Sequence, residues 1–389
     1  MLSPIPSNII YQLKYPFKLW MYELIDQWVM REKVQRKQKK ILIYRLDLIG
    51  DYLMCRPFFK TLKDDPKYAD YQFTFAGNIA CKSLAEWLDG EIFDDFVWID
   101  RARFINSIGY RFRILKQVHD SGFEMVIYPS HTRQYWLESV VRVSGASIRI
   151  TGEPIGKYMN SWELNMTQGH YSNIISTGNG SLFEFFRNRN FFSSLSGLAL
   201  SIESLQTNLP HLELDFSFPQ TDFIVLAPGA STQNRRWPIA KFAALVVEIY
   251  ERVRVEIVVI GSSGEAVLGD ELQAVLPQIK VHNLAGKLSL PQSMVLLSKA
   301  KLLISNESSP VHMAATTGTP TLCISQGNHF GRWNPYPDSV APWIKTVYPK
   351  WFENQSPENL AERFHDGSNE DISQITVEQV WNEVLNVLG

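Results

Sequence analysis

Long apolar runs are missing from this chain, and none reaches the ~18 residues that a membrane-spanning helix needs. Cysteine is scarce. Cys55, Cys81 and Cys323 are odd in number, far apart and without metal-type spacing, so they read as reduced buried thiols in a cytosolic protein rather than as a disulfide framework. Charge bias is also missing. Lys and Arg number 38 against 40 Asp and Glu, which excludes a global pull toward nucleic acid and confines any basic patch to one locality. The amino terminus lacks the small-residue cleavage site of a secretory signal, and its basic block falls on the wrong side of the apolar segment.

What is present is an alternation of strand and helix. Apolar runs at 41–46, 71–77, 94–100 and 124–130 predict strands, with helices expected over 50–62, 79–88, 109–119 and 135–143. The rhythm breaks at 151–220, expected to hold the last helix of the first domain and the linker; its aromatic run FEFFRNRNFF (183–192) interleaves Arg with Phe and reads as a helix packed in the cleft or near an acceptor lipid rather than as a nucleic-acid surface. The rhythm restarts with strands at 223–229 and 255–261, helices at 239–250, 265–275 and 290–299, and a closing helix at 376–387. With 389 residues there is material for two full cores. The expected fold class is α/β: two doubly wound domains facing each other across a cleft at the carboxyl ends of their strands. The expected domains are an extension at 1–40, a first domain at 41–215, a second at 220–370, and a helix at 371–389 that packs back on the first.

The extension mixes aromatic and apolar residues over 9–30 and ends in REKVQRKQKK. Two readings stay open for it: an amphipathic helix for an anionic membrane surface, or a helix packed on the first domain with a solvated end.

Four strand-to-helix turns carry the candidate chemistry. In 302–324 an apolar strand is followed by Ser305, Asn306, Glu307, Ser308 and Ser309, then Pro310, which suits a first helical turn. Such a helix start holds an anion, because its first N–H groups lack partners and the dipole is positive there. Glu307 and His312 flank it, so the expected guest is phosphorylated and carries hydroxyls. In APGASTQNRRWP (227–238), Gly229 lets a ligand approach the backbone. Ser231 and Thr232 offer hydroxyls, while Arg235 and Arg236 offer guanidinium forks suited to phosphate. In IGSSGEAVLGDEL (260–272), a Gly-rich turn precedes Glu265, as in turns where a carboxylate takes ribose hydroxyls. In RLDLIGDYLMCRP (45–57), Asp51 opens a helix after a sharp turn; it is either a helix cap or a general base, and Asp47 competes for the second role. The turn QGNHFGRWNPYP (326–337) has aromatic and cationic groups suited to a nucleotide base.

Taken together these turns resemble glycosyltransferase family 9, the ADP-heptose:lipopolysaccharide heptosyltransferase family. ILIYRLDLIGD looks like the family's R-x-x-x-I-G-D signature and APGASTQNRRWP like its P-G-A…K/R-x-W-P loop. LAGKLSL (284–290) and SNESSPVHMAATTGTP (305–320) are similar to its L-A-G-x-x-S-L and N-D-S-G-P-x-H-x-A-A-x-x-G-T-P segments. Glu307 and Ser309 stand where the family has Asp and Gly. The resemblance implies a GT-B fold, inversion at the anomeric carbon and no metal or cofactor. It casts Asp51 as general base, Arg235 as the cation on the diphosphate, and Glu265 on the ribose. Glu307 and His312 fall at the donor site. Ser231, Thr232, Arg236, Ser308 and Ser309 are expected around the phosphates from their own hydroxyl, guanidinium and N–H groups. The implied donor is a nucleotide sugar resembling ADP-heptose, and the implied acceptor a lipid-linked or oligosaccharide one in the cytoplasm, with peripheral membrane contact and no nucleic acid. A non-catalytic nucleotide-sugar-binding protein and a sugar-nucleotide epimerase of similar architecture are the alternatives.

Overall fold

The computed structural model describes residues 7–34, 39–154, 159–178, 181–213, 219 and 221–388, with 7–16 as backbone only. Parts of the expected extension (1–6 and 35–38) and of the linker (214–218) lie outside the described residues.

Two parallel six-stranded sheets form the frame. The first contains β1 (Lys40–Arg45), β2 (Gln72–Asn78), β3 (Asp95–Ile99), β4 (Met125–Tyr128), β5 (Ile148–Gly152) and β6 (Asn173–Ile175), in the order β3-β2-β1-β4-β5-β6. The second contains β7 (Phe223–Ala227), β8 (Glu256–Val259), β9 (Val281–Asn283), β10 (Leu302–Asn306), β11 (Thr321–Ile324) and β12 (Ile344–Val347), in the order β12-β11-β10-β7-β8-β9. Both orders reverse direction beside their first strand, which places a crevice at the carboxyl ends of β1 and β4 and of β7 and β10. The central strands are buried along their length, as β1 and β7 show, because helices cover both faces.

Several elements differ from the expected pattern. The helix expected over 50–62 is two helices, Ile49–Cys55 and Pro57–Lys63, because Pro57 has no N–H to continue the first. Strands β5, β6, β9 and β12 have three to five residues each and gave too short an apolar signal to be read. Residues 151–220 hold most of β5's end, β6 and the helices Ser161–Gln168 and Glu184–Ser196.

The cores explain how the domains meet. On the outer face of the first sheet, the N-terminal helix Ser7–Val29 buries Leu19, Tyr22, Ile25 and Val29 against the helices Ile108–Ser121 and Ser139–Val143. On its inner face, the helices Ile49–Cys55, Pro57–Lys63 and Glu184–Ser196 share one continuous core with residues of the second domain. Met294, Leu297, Val311, Met313 and Ala314 belong to that core. The closing helix Val377–Leu388 does not return to the first domain. Val380 and Val384 pack with Trp237, Phe242 and Ile372 of the second, and Trp237 Nε1 donates to the Ile375 carbonyl at 2.9 Å. Its hydrophobic stripe has a partner there in the helix Ile239–Val253. The three cysteines are free and buried.

Candidate active site

Between the sheets lies a cleft of about 760 Å³, within the range of small-molecule sites. Leu48, Ile49, Gly50 and Asp51 line it from the first domain. Gly229, Ser231, Arg235, Glu265, Glu307, Ser308, Ser309, His312 and Trp333 line it from the second.

Asp51 sits in the first turn of its helix, but the cap position is Leu48 and has no side-chain cap bond, so Asp51 does not serve as a cap. Its Oδ1 instead accepts a hydrogen bond from Trp333 Nε1 at 3.2 Å, a contact between residues 282 apart in the chain. Asp47 is engaged elsewhere, with its Oδ2 2.9 Å from Arg45 Nε. Burial, then the negative charge of Asp47, push the Asp51 carboxyl up to about 7, against the pull of Arg45 and Arg332. A carboxyl poised near neutral pH, half-buried in a cleft wall, can take a proton from a hydroxyl.

Behind Asp51 is a residue that the sequence reading missed. Glu184, first in its helix, is buried. Its Oε2 accepts from Arg332 Nε at 3.1 Å and its Oε1 from Arg45 Nη2 at 3.4 Å, while its backbone N–H donates to the Arg332 carbonyl at 2.8 Å. Burial favours its neutral form, but Arg332, His131 and Arg45 outweigh burial and hold it down at about 2. The fixed carboxylate anchors Arg332, whose guanidinium lies 4.0 Å from the centre of the Trp333 ring. The turn 326–337 therefore reaches across to the first domain's carboxylates: Trp333 directs its N–H to Asp51, and Arg332 is committed to Glu184.

On the opposite wall, Asn306 at the end of β10 clips the 228–238 loop. Its Nδ2 donates to the Pro228 carbonyl at 2.7 Å and its Oδ1 accepts from Trp237 N–H at 3.0 Å. The clip presents Arg235, whose Nη2 donates to the Glu307 carbonyl at 2.7 Å and lies 3.5 Å from Glu307 Oε1. Arg235 Nη1 also donates to Ser231 Oγ at 3.2 Å. The two neighbouring arginines part here. Arg236 turns back, donating from Nε and Nη2 to the Ala230 carbonyl at 3.0 and 2.9 Å, and does not line the cleft. Thr232 also leaves the main cleft. Its hydroxyl donates to Asn234 Oδ1 at 2.7 Å, and it lines a side pocket of about 500 Å³ with Asn328, His329 and Asp366.

Glu307 is buried and accepts from the Ser325 hydroxyl, so its carboxylate braces Arg235 and the β11 end rather than projecting freely; burial pushes it above the usual range, against Arg235. Ser308 is the cap residue of the helix Ser309–Thr317, and its hydroxyl donates to the Asn306 carbonyl at 3.3 Å. His312 is buried and hydrogen-bonded through Nδ1 to the Tyr336 hydroxyl at 2.5 Å. Burial, then Arg235, push its pKa down to about 4, which leaves it neutral near pH 7. Its ring abuts Gly50 across the domain boundary, where a Cβ would lie 2.5 Å from His312 Cδ2. Glu265 closes a capping box, its Oε2 accepting from Ser262 N–H at 2.7 Å and the Ser262 hydroxyl at 2.8 Å. Its Oε1 lies 2.0 Å from where a Cβ on Gly229 would fall, so only glycine lets the two turns touch.

Two Rossmann-type sheets with a polar cleft between their carboxyl edges make up the GT-B fold. Residues 185–359 match the model of glycosyltransferase family 9 (heptosyltransferase). The chain is 22% identical over 253 residues to lipopolysaccharide heptosyltransferase 3 of Escherichia coli, spanning 62% of this chain and 70% of that one. It is 30% identical over 115 residues to lipopolysaccharide heptosyltransferase 2 of Salmonella typhimurium LT2, spanning 28% of this chain and 33% of that one. In fold it is similar to a glycosyltransferase family 9 structure from Veillonella parvula DSM 2008, with a TM-score of 0.67 and 17% identity over 90% of this chain and 97% of that one. It is also similar to E. coli heptosyltransferase WaaC with ADP-2-deoxy-2-fluoro heptose, with a TM-score of 0.62 and 14% identity over 89% of this chain and 99% of that one.

Proposed function

We propose that this chain is an inverting glycosyltransferase that moves a heptose or similar sugar from a nucleotide-sugar donor to a lipopolysaccharide core or related surface-glycan acceptor. The observation that carries the reading is the opposition of Asp51, poised near 7, to Arg235 and the helix start at Ser309 across one cleft. Asp51 removes the proton from the acceptor hydroxyl as that oxygen attacks the anomeric carbon. The bond from that carbon to the diphosphate breaks, and the leaving nucleoside diphosphate keeps the electron pair. Arg235 and the helix start meet the new charge, so no divalent cation is needed for it. Ser231 adds a hydroxyl. Glu265 takes the ribose hydroxyls, and neutral His312 donates a hydrogen bond on the donor side. The donors named for similar proteins support an ADP-heptose-like donor, WaaC having been solved with an ADP-heptose analogue. The acceptor class is supported by the lipopolysaccharide heptosyltransferases to which the chain is similar. Three buried free thiols agree with a reducing, cytoplasmic setting.

The test is Asp51→Asn, which keeps an acceptor for Trp333 but cannot take a proton. With ADP-heptose and a core-oligosaccharide acceptor, kcat is expected to fall at least ~100-fold with donor affinity kept. Unchanged turnover would exclude Asp51 as the base, and a product with the donor's anomeric configuration would exclude inversion.

A further inference from the structure

A polar side pocket of about 500 Å³ adjoins the main cleft, and the proposed transfer gives it no task. Ser231, Arg235, Asn328 and His329 line both spaces, so the pocket opens beside the groups assigned to the donor diphosphate. Its outer wall is the turn 366–369, which falls outside the segment that matches the family model. That turn is pinned in place. Ser368 N–H donates to Asn328 Oδ1 at 3.3 Å, its hydroxyl donates to the Gln326 carbonyl at 2.7 Å, and Gln326 Nε2 donates to the Ser368 carbonyl at 2.9 Å.

The hydrogen bonds already made decide what the pocket offers a guest. Asn328 Oδ1 is taken by Ser368, and Asn234 Oδ1 by the Thr232 hydroxyl at 2.7 Å, so both amides face a guest as donors. His329 is the reverse. A carbonyl only accepts, so the contact of Nδ1 with the His365 carbonyl at 2.8 Å fixes the ring proton on Nδ1. Burial lowers the pKa of the ring, which keeps it neutral near pH 7 and leaves Nε2 as an acceptor. Amide donors beside an imidazole acceptor suit hydroxyl groups, which both give and take hydrogen bonds. A second phosphate fits poorly, because its oxygens would meet that acceptor and the Asp366 carboxylate on the same lining. A nucleobase needs flat apolar faces, whereas this lining is mostly amide, hydroxyl and carboxylate.

Two further observations tie the pocket to the transferred sugar. The backbone of His329 is left-handed, with φ 51°, a conformation that residues other than glycine seldom adopt; it holds the ring at the junction of pocket and cleft. The same ring meets Trp333 edge to face at 5.0 Å, and Trp333 donates to Asp51. A sugar joined to a phosphate at Arg235 and faced by Asp51 therefore has this pocket beside it.

We propose that the side pocket receives the exocyclic hydroxyl chain of the donor sugar, with Asn234 and Asn328 donating and His329 Nε2 accepting. It thereby selects a heptose over the hexose of the same ring. The inference rests on the transfer reading for where the diphosphate lies, and it adds the residues that choose the sugar.

Donor binding is measured by calorimetry without acceptor, using ADP, ADP-heptose and the ADP-hexose of the same ring configuration. The wild-type chain should bind ADP-heptose at least ~tenfold more tightly than the ADP-hexose. Asn234→Ala and His329→Asn should each lower that ratio at least ~threefold, with the affinity for ADP alone kept. Asn tolerates the left-handed backbone, so the second variant removes the imidazole without straining the turn. Equal wild-type affinity for the two donors overturns the proposal, as does binding of neither. So do variants that keep the wild-type ratio, or that weaken ADP, ADP-hexose and ADP-heptose alike, which would put these residues on the nucleotide. Product formation is a separate readout. A chain that shows the expected ratio but transfers nothing would sink the transfer reading and leave the pocket's choice of sugar standing.

Discussion

Replacing Trp333 with Phe isolates one hydrogen bond at the proposed base. Phe keeps a ring beside the Arg332 guanidinium, 4.0 Å from the ring centre in the native chain, and removes the N–H that Asp51 Oδ1 accepts at 3.2 Å. A hydrogen bond to an ionised acceptor contributes about 1.5–3 kcal/mol. Asp51 is half-buried, and water replaces part of what is lost, so the lower end of that range applies. One pKa unit corresponds to about 1.36 kcal/mol, which puts the shift at about one unit. The lost bond favoured the charged form, so the shift is upward, from about 7 to about 8. A base works ionised. The acid limb of kcat/KM, which reports the free enzyme, should move to higher pH by about one unit in the variant. At pH 7 the ionised fraction should fall from about half to about a tenth, a roughly fivefold loss that is recovered above pH 9. The assay is release of nucleoside diphosphate from pH 5.5 to 9.5 under subsaturating donor. A limb that stays in place, or moves to lower pH, would refute the role given to this bond. A loss equal at all pH values would mean that Trp333 shapes the cleft without tuning the base.

Two further outcomes follow from contacts in the cleft. Gly50→Ala should cost about 1–3 kcal/mol in thermal stability and at least ~tenfold in turnover, because its Cβ meets the His312 ring at 2.5 Å. Adding His312→Ala should return most of the lost melting temperature, and additive losses in that cycle would show the two residues do not press on each other. Arg235→Ala should lower kcat/KM for donor by about 100-fold, whereas Arg236→Ala should leave it within about threefold, since only the first faces the cleft. Equal losses in donor steady-state kinetics would refute that division.

Much of the frame was readable because its signals are local. Alternating apolar runs marked the central strands, and Pro238 and Pro310 marked helix starts beside the cleft-facing turns. The Gly-rich turn before Glu265 was likewise local, and the structure closes it with a capping box of Ser262 and Glu265. What stayed hidden is long-range. Nothing near Trp333 points to Asp51, and nothing in FEFFRNRNFF says that Glu184 holds Arg332. The two arginines at 235 and 236 are alike as sequence; Asn306, 70 residues on, fixes the loop that turns them apart. Three-residue strands such as β6 and β9 owe their place to their neighbours in the sheet, so no run of their own announces them. The closing helix has a clear apolar stripe, yet a stripe does not say which domain it will meet.

The core that runs from the helix Ile49–Cys55 into the helix Ser309–Thr317 gives domain movement a thermal signature. Parting the two halves wets side chains such as Val311 and Met313, as a small unfolding event would. Such a step would raise the heat capacity, and the apolar resistance to it would weaken on cooling. Any opening of the cleft is therefore expected to carry a positive heat-capacity change.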